Sequence, residues 1–292
     1  MRRSAGLTAP LYMIISALSF ALMSAAVKHS GDIPFMQKVF FRNFVMILMV
    51  FAPLLYKAGS LGSGVFTGQK TSRGWLLLRS TLGFFGVIMF FFSVERLTLA
   101  DSAMLNKLSA FFVIILSAVF LRERIRSYQI PAIIAAFAGA LLIIKPGFNM
   151  AVIPAVVGAG ASVIAACAYT VVASLKGKED SLTIIFWFSA ISTIASFIPM
   201  IIFWETPNSR ELTALILTGI FAAGGQYFLT LAYTHGPAGE VSIYNYTQVV
   251  FSILIGFILW REIPDFLSTA GAILIIGAAL GLYLRGRRRA DV

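Results

Sequence analysis

Carboxylates are scarce in this chain: 12 Asp and Glu stand against 23 Lys and Arg, and charged residues make up only 12% of its 292 positions. A soluble domain carries about twice that charged share, so a water-soluble globule is excluded. A single cysteine, Cys167, excludes an intrachain disulfide and any multi-cysteine metal cluster. The histidines, His29 and His235, are too few for a histidine metal cluster or a plausible Ser/His/Asp set. Neither a Walker phosphate loop nor a GxSxG elbow occurs, so an ATP-driven pump or an intramembrane hydrolase finds no support. No enzyme activity, cofactor or metal is implied. The acidic side chains that do occur within the apolar half of the composition, Glu95, Asp101 and Glu240, sit near the ends of apolar runs. A carrier of organic cations would be expected to place a carboxylate at mid-membrane to offset the loss of water around its cargo. That argues against quaternary-cation or polyamine substrates.

What is present is oil-soluble sequence. Hydrophobic residues make up 59% of the chain, with a mean hydropathy of +0.89. They fall in runs of about 20, the length at which a helix crosses a hydrocarbon layer of about 30 Å. The predicted fold class is all-α polytopic membrane protein, with ten transmembrane helices: 10–27, 34–56, 74–97, 99–121, 129–144, 153–175, 181–203, 213–233, 237–260 and 264–284. Pro10, Pro34, Pro131, Pro154, Pro237 and Pro264 stand near the first turns, where a missing N–H is tolerated. The net charge of +11 brackets the apolar runs, the pattern of membrane topology rather than of nucleic-acid binding. With the N-terminus inside, 14 basic residues flank the spans on the inner side, including Arg122, Arg124, Arg126 and the tail Arg285, Arg287, Arg288 and Arg289; 5 flank them outside. Both termini are therefore expected to be cytoplasmic. The Arg2-Arg3 start resembles a cleaved signal, but its apolar stretch is long for one and a matching helix opens the second half.

A repeat runs through the chain. Pro53 answers Pro199 146 positions later, while Asn106 answers Asn245 and Arg122-Glu123 answers Arg261-Glu262 at 139. Residues 9–145 form the first five-helix repeat, 153–284 the second, and 285–292 a basic cytoplasmic tail. Because five is odd, the two repeats must be inverted relative to one another. That is the usual architecture of alternating-access carriers, whose site lies at mid-membrane between the halves.

Three features, in this order, resemble the EamA-type branch of the drug/metabolite transporter superfamily: Phe41-Arg42-Asn43 in the second span, Leu78 to Gly86 in the third, and Ala110 to Glu123 with its terminal glutamate. The resemblance spans about Pro10 to Leu284. It implies a carrier or exporter of metabolites in a cell inner membrane, with a cavity built mainly by spans 1, 3, 4, 6, 8 and 9. The sequence looks similar to amino-acid exporters, including those for aromatic amino acids. Uptake or exchange of another metabolite, such as a nucleoside-derived compound, is the alternative, and a non-transporting membrane protein the third.

Polar residues inside spans carry the site, since lipid penalises them. Ser102, Asn106 and Ser109 share one face of the fourth span, and Asn245, Gln248 and Ser252 share one face of the ninth. Such stripes either face a pathway or glue helices, at about 0.6 kcal/mol per contact. Lys107 lies deep beside Asn106, either to receive a substrate's acidic group or to be neutralised by helix carbonyls or Asp101. Lys38 and Arg42, four apart on one face, are candidates for a charge role, and Arg79 reads as an anchor snorkelling to the cytoplasmic surface. Phe20, Phe84, Phe85, Trp187, Tyr227, Tyr244 and Tyr246 supply aromatic faces on which a ring-bearing substrate would stack. Gly83, Gly86, Gly224 and Gly225 are candidate hinges, and Gly277 and Gly281 form a GxxxG pattern that packs either within the bundle or in a homodimer. The expected partners are a small-molecule substrate and the lipid bilayer, with no nucleic acid.

Overall fold

The computed structural model describes residues 5–61, 64–120, 127, 129–144, 152–175, 177–235 and 242–290. The described elements are helical, without a strand among them: α1 (Ala5–His29), α2 (Phe35–Leu61), α3 (Gly64–Thr67), α4 (Arg73–Arg96), α5 (Leu99–Lys107), α6 (Ser109–Phe120), α7 (Gln129–Ile144), α8 (Ile153–Leu175), α9 (Ser181–Ile202), α10 (Ser209–His235), a 3₁₀ segment (Ser242–Tyr246), α11 (Thr247–Trp260) and α12 (Phe266–Ala290). Arg122, Glu123, Pro237 and Glu240, which enter the sequence argument above, lie outside the described residues.

Local chemistry sets several of these boundaries. Thr98 caps α5, its hydroxyl accepting from the Asp101 N–H at 3.0 Å, and Asp180 caps α9 by accepting from Leu182 N–H at 2.9 Å. Both satisfy orphan donors at a helix start. At its other end α11 stops at Arg261, whose φ of +58° is the left-handed conformation that closes a helix. Pro10 falls inside α1, more than a turn beyond the helix start, because the chain is already helical from Ala5.

Helices α1, α2, α4, α8, α9 and α10 are long and apolar enough to cross a membrane, and Gln129–Ile144, Tyr244–Trp260 and Phe266–Gly281 are shorter apolar helices. Ile194, Ile198 and Ile202, on one face of α9, are 72%, 66% and 67% exposed. Outward apolar stripes of this kind belong against lipid, and the chain is a multi-pass membrane protein.

Two spans depart from the continuous helices predicted for them. The fourth is divided at Leu108, where the Leu108 N–H reaches Leu105 O at 3.1 Å and the Phe111 N–H reaches Leu108 O at 2.9 Å, a local tightening to i→i+3 bonding. The ninth enters α11 through the 3₁₀ segment Ser242–Tyr246. The two junctions, at positions 108 and 247, are 139 residues apart.

Helices from the two ends of the sequence interleave. α1 packs along α10, α4 along α8, α7 along α12 and α2 along α9, with further contacts of α2 with α10, α4 with α9, α1 with α11, α6 with α8, and α5 with α11. One apolar core gathers Met23, Met46, Phe91, Ile185 and Phe188; a second gathers Leu105, Phe111, Ala136, Val249 and Ile275. Each draws on residues from both predicted repeats. The backbones of α7 and α12 approach closely, so that a Cβ on Gly139 would stand 2.7 Å from the Gly271 carbonyl oxygen. Gly277 and Gly281 are exposed, with nothing among the described residues within 4 Å of an added Cβ, so the GxxxG face points away from the described helices.

Candidate functional site

The interruption of the fourth span ends α5 at Lys107, and the 3₁₀ segment of the ninth span delivers Asn245 opposite it. The Lys107 Nζ donates to Asn245 Oδ1 at 2.9 Å and to Gln248 Oε1 at 2.6 Å. Lys107 and Gln248 are 5% and 3% exposed. This buried ammonium is held by two neutral amide oxygens, and no carboxylate among the described residues is bonded to it, so none of them compensates its positive charge. Asp101 does not take that role: its backbone N–H bonds the Thr98 cap, and the ion pairs among the described residues lie elsewhere. Hydroxyls on both sides cap carbonyls at the tightened turns: Ser109 Oγ donates to Asn106 O at 2.8 Å, and Thr247 Oγ1 to Tyr244 O at 2.6 Å. Asn106 and Tyr244 are half-buried at this junction.

The remaining candidates scatter. Ser102 donates to Ser93 O at 3.2 Å and joins the fourth span to α4. Tyr244 packs on Ala9, Met13 and Ala232. Trp187 donates its indole N–H to Phe66 O at 3.0 Å, at the short helix α3, and Tyr227 is 46% exposed against Phe228. Phe20 and Phe84 line the apolar core around Phe188. Gly225 admits the Phe20 ring, 2.8 Å from where a Cβ would be, and Gly83 admits Phe188 at 2.7 Å, while Gly86 and Gly224 have ordinary van der Waals room.

Lys38 reaches Glu95 Oε1 at 2.6 Å and Gly31 O at 2.7 Å, so its charge is neutralised near the N-terminal end of α2. Arg42 donates Nη1 to Asn43 Oδ1 at 2.7 Å and lies over the Phe188 ring. Arg79 is no surface anchor: it is 4% exposed with its guanidinium 4.2 Å from the same ring centroid. Sequence position did not distinguish the two readings of Arg79, because a side chain near a helix end reaches headgroups and bundle interior equally well. Phe188 and Tyr169 carried no sequence signal beyond being aromatic. A groove of about 440 Å³ lined by residues including Pro34, Phe203 and Glu205 lies at the ends of α2 and α9, away from Lys107.

The model of the EamA-like transporter family matches residues 7–145 and again 152–284. The chain belongs to the EamA-like transporter family. It is 32% identical over 93% of its length, and 94% of theirs, to the pseudopaline exporters CntI of two Pseudomonas aeruginosa strains. It is 27% identical to an uncharacterized transporter of Helicobacter pylori, over 93% of each chain. Human solute carrier family 35 member G1 matches at 24% over 94% of this chain and 78% of its own. A crystal structure of a protein 20% identical to it superposes on 96% of this chain and 98% of its own, with a TM-score of 0.70, which shows a shared fold. This EamA-family protein is therefore a transporter of the drug/metabolite superfamily.

Proposed function

We propose that this chain is a secondary carrier that moves a small zwitterionic or anionic metabolite by alternating access, and that it exports amino acids, aromatic or large apolar ones in particular. The observation that carries this reading is the Lys107 bridge: two spans are interrupted at positions 139 residues apart, and a buried ammonium joins them through amide oxygens, with no carboxylate partner among the described residues. Interrupted helices meeting at mid-membrane are how carriers of this kind present polar groups to cargo. An ammonium without a carboxylate favours cargo that supplies one.

Ten spans in two inverted five-helix repeats is the architecture we infer, with α5 and α6 as one span. Its support is an exchange property of the packing. Replacing each helix by its counterpart in the other repeat turns the α1·α10 contact into α8·α4, α2·α10 into α9·α4, and α1·α11 into α8·α6, all of which occur; α2·α9, α7·α12 and α5·α11 map onto themselves. The double match of the family model fits the same division. The balance of basic residues supports an inner-membrane placement with both termini cytoplasmic.

Counterflow of labelled phenylalanine, tryptophan, threonine and a nucleoside in proteoliposomes tests the substrate class. Phenylalanine or tryptophan flux is the expected result, and Lys107→Ala is expected to lower kcat/KM at least tenfold, about 1.4 kcal/mol. Unchanged transport by that variant removes Lys107 from the site. A second reading, favoured by the 32% identity to the pseudopaline exporters, is export of a pseudopaline-like compound; flux of pseudopaline without flux of any amino acid would replace the first reading with it.

A further inference from the structure

Away from Lys107, a second concentration of positive charge has no counterion among the described residues. Arg42 on α2 and Arg79 on α4 are each 4% exposed, and both guanidiniums lie on the Phe188 ring of α9, at 5.3 and 4.2 Å from its centroid. The Nε atoms of both, and Nη1 of Arg79, are sealed from solvent with no hydrogen-bond partner. The ion pairs among the described residues use Lys28, Lys38, Lys57 and Arg96, and neither of these arginines. An aromatic face relieves part of the cost of burying a guanidinium, but it accepts none of the N–H donors, and two like charges sharing one ring repel one another. A buried, fork-shaped donor set of this kind is completed by an oxyanion.

The surrounding residues hold that donor set in place. Asn43 anchors its own amide to Val39 O at 2.8 Å and turns its Oδ1 toward Arg42, leaving the rest of the fork free. Gly83, one turn after Arg79, leaves the space that the Arg79 guanidinium and the Phe188 ring occupy; any Cβ there would collide with both. Tyr169 on α8 lies within electrostatic reach of both arginines, which adds a phenol to the cluster.

We propose that Arg42 and Arg79, both held on the Phe188 ring with Tyr169 nearby, form a binding site for an oxyanion, a carboxylate or phosphate group, distinct from the Lys107 junction. Free organic anions and phospholipid headgroups share that chemistry, so the test separates the two sources. Citrate is titrated into the purified full-length protein in detergent and thermal unfolding is followed, with sodium chloride of equal ionic strength as reference; native mass spectrometry counts retained phospholipid. The expected result is a saturable rise in Tm with citrate beyond that with chloride, with an apparent Kd at least tenfold weaker in Arg42→Gln and in Arg79→Gln and unchanged in Lys107→Gln. Retained phospholipid that is lost in the two arginine variants upholds the site and assigns it a headgroup instead. Citrate acting no more than chloride with no phospholipid lost, or arginine variants that bind as the parent does, would overturn the proposal. So would loss of citrate binding in Lys107→Gln, which would merge the two sites while leaving the transport reading to its own flux assay. If a glutamine variant does not fold, Arg79→Lys, which keeps the charge and loses the fork, is expected to weaken citrate about fivefold or more, and no weakening there counts against the site.

Discussion

Lys38 and Lys107 are both buried, and their partners set their roles apart. Lys38, with 2% of its side chain exposed, meets the Glu95 carboxylate at 2.6 Å; Lys107 meets only amide oxygens. Removing the carboxylate from the first strands a charge, so Glu95→Gln is expected to destabilise the protein by about 3 kcal/mol in detergent unfolding, and Lys38→Met with Glu95→Gln to recover most of that loss. If the single variant melts as the parent does, the pair contributes nothing to stability. The burial of Lys107 beside Asn106 could be read from the sequence, because a polar residue in the middle of an apolar run has few places to go. The pairing of Lys38 with Glu95 and the stacking of Arg79 on Phe188 could not, since each depends on which helix lies alongside, and single-span hydropathy holds no record of that.

At the level of helices, one feature of the sequence pointed to close packing, and the structure uses another. The GxxxG at Gly277 and Gly281 points outward, whereas Gly139 on α7 and Gly271 on α12 let the two backbones touch. A pair on different helices has no spacing signature, which is why it escaped the sequence reading. Small residues at such crossings allow the van der Waals contact that drives helix association in lipid. Gly139→Ala is therefore expected to cost about 1–3 kcal/mol, since the opposing atom is a carbonyl that cannot swing aside; Gly277→Ala is expected to stay within about 0.5 kcal/mol. Thermal unfolding of both in one detergent compares them, and equal melting would mean that α7 and α12 separate in solution. The long apolar helices α1, α2, α4, α8, α9 and α10 were legible because a run's length reports on the bilayer. The break at Leu108 was not, because no proline or glycine marks it: the ladder tightens beside side-chain hydrogen bonds donated by Ser109 and by Lys107.

For the whole molecule, the packing exchange and the ion pairs together specify how such a carrier would move. Lys28, at the end of α1, bonds Glu262 and also Leu97 O at 2.9 Å, while Glu262 caps α5 by accepting from Leu99 N–H at 3.0 Å. Because α2 runs back from the end where α1 stops, Lys57 near its C-terminus lies at the opposite end of the bundle, where it meets Asp180 at 2.6 Å. Each pair ties the first half of the chain to the second, so the alternating access proposed above requires each to part in its turn. Cys167 is the chain's one cysteine, and in a Cys167→Ala background the pairs Lys28→Cys with Glu262→Cys and Lys57→Cys with Asp180→Cys are accessible to a short bifunctional thiol reagent. Cross-linking either pair is expected to stop counterflow almost completely, and reduction to restore it, with each single-cysteine protein unaffected by the reagent. Transport that survives one of the cross-links would mean that this end of the molecule stays shut throughout the cycle, and a rocking exchange of the two repeats about the Lys107 junction would then be untenable.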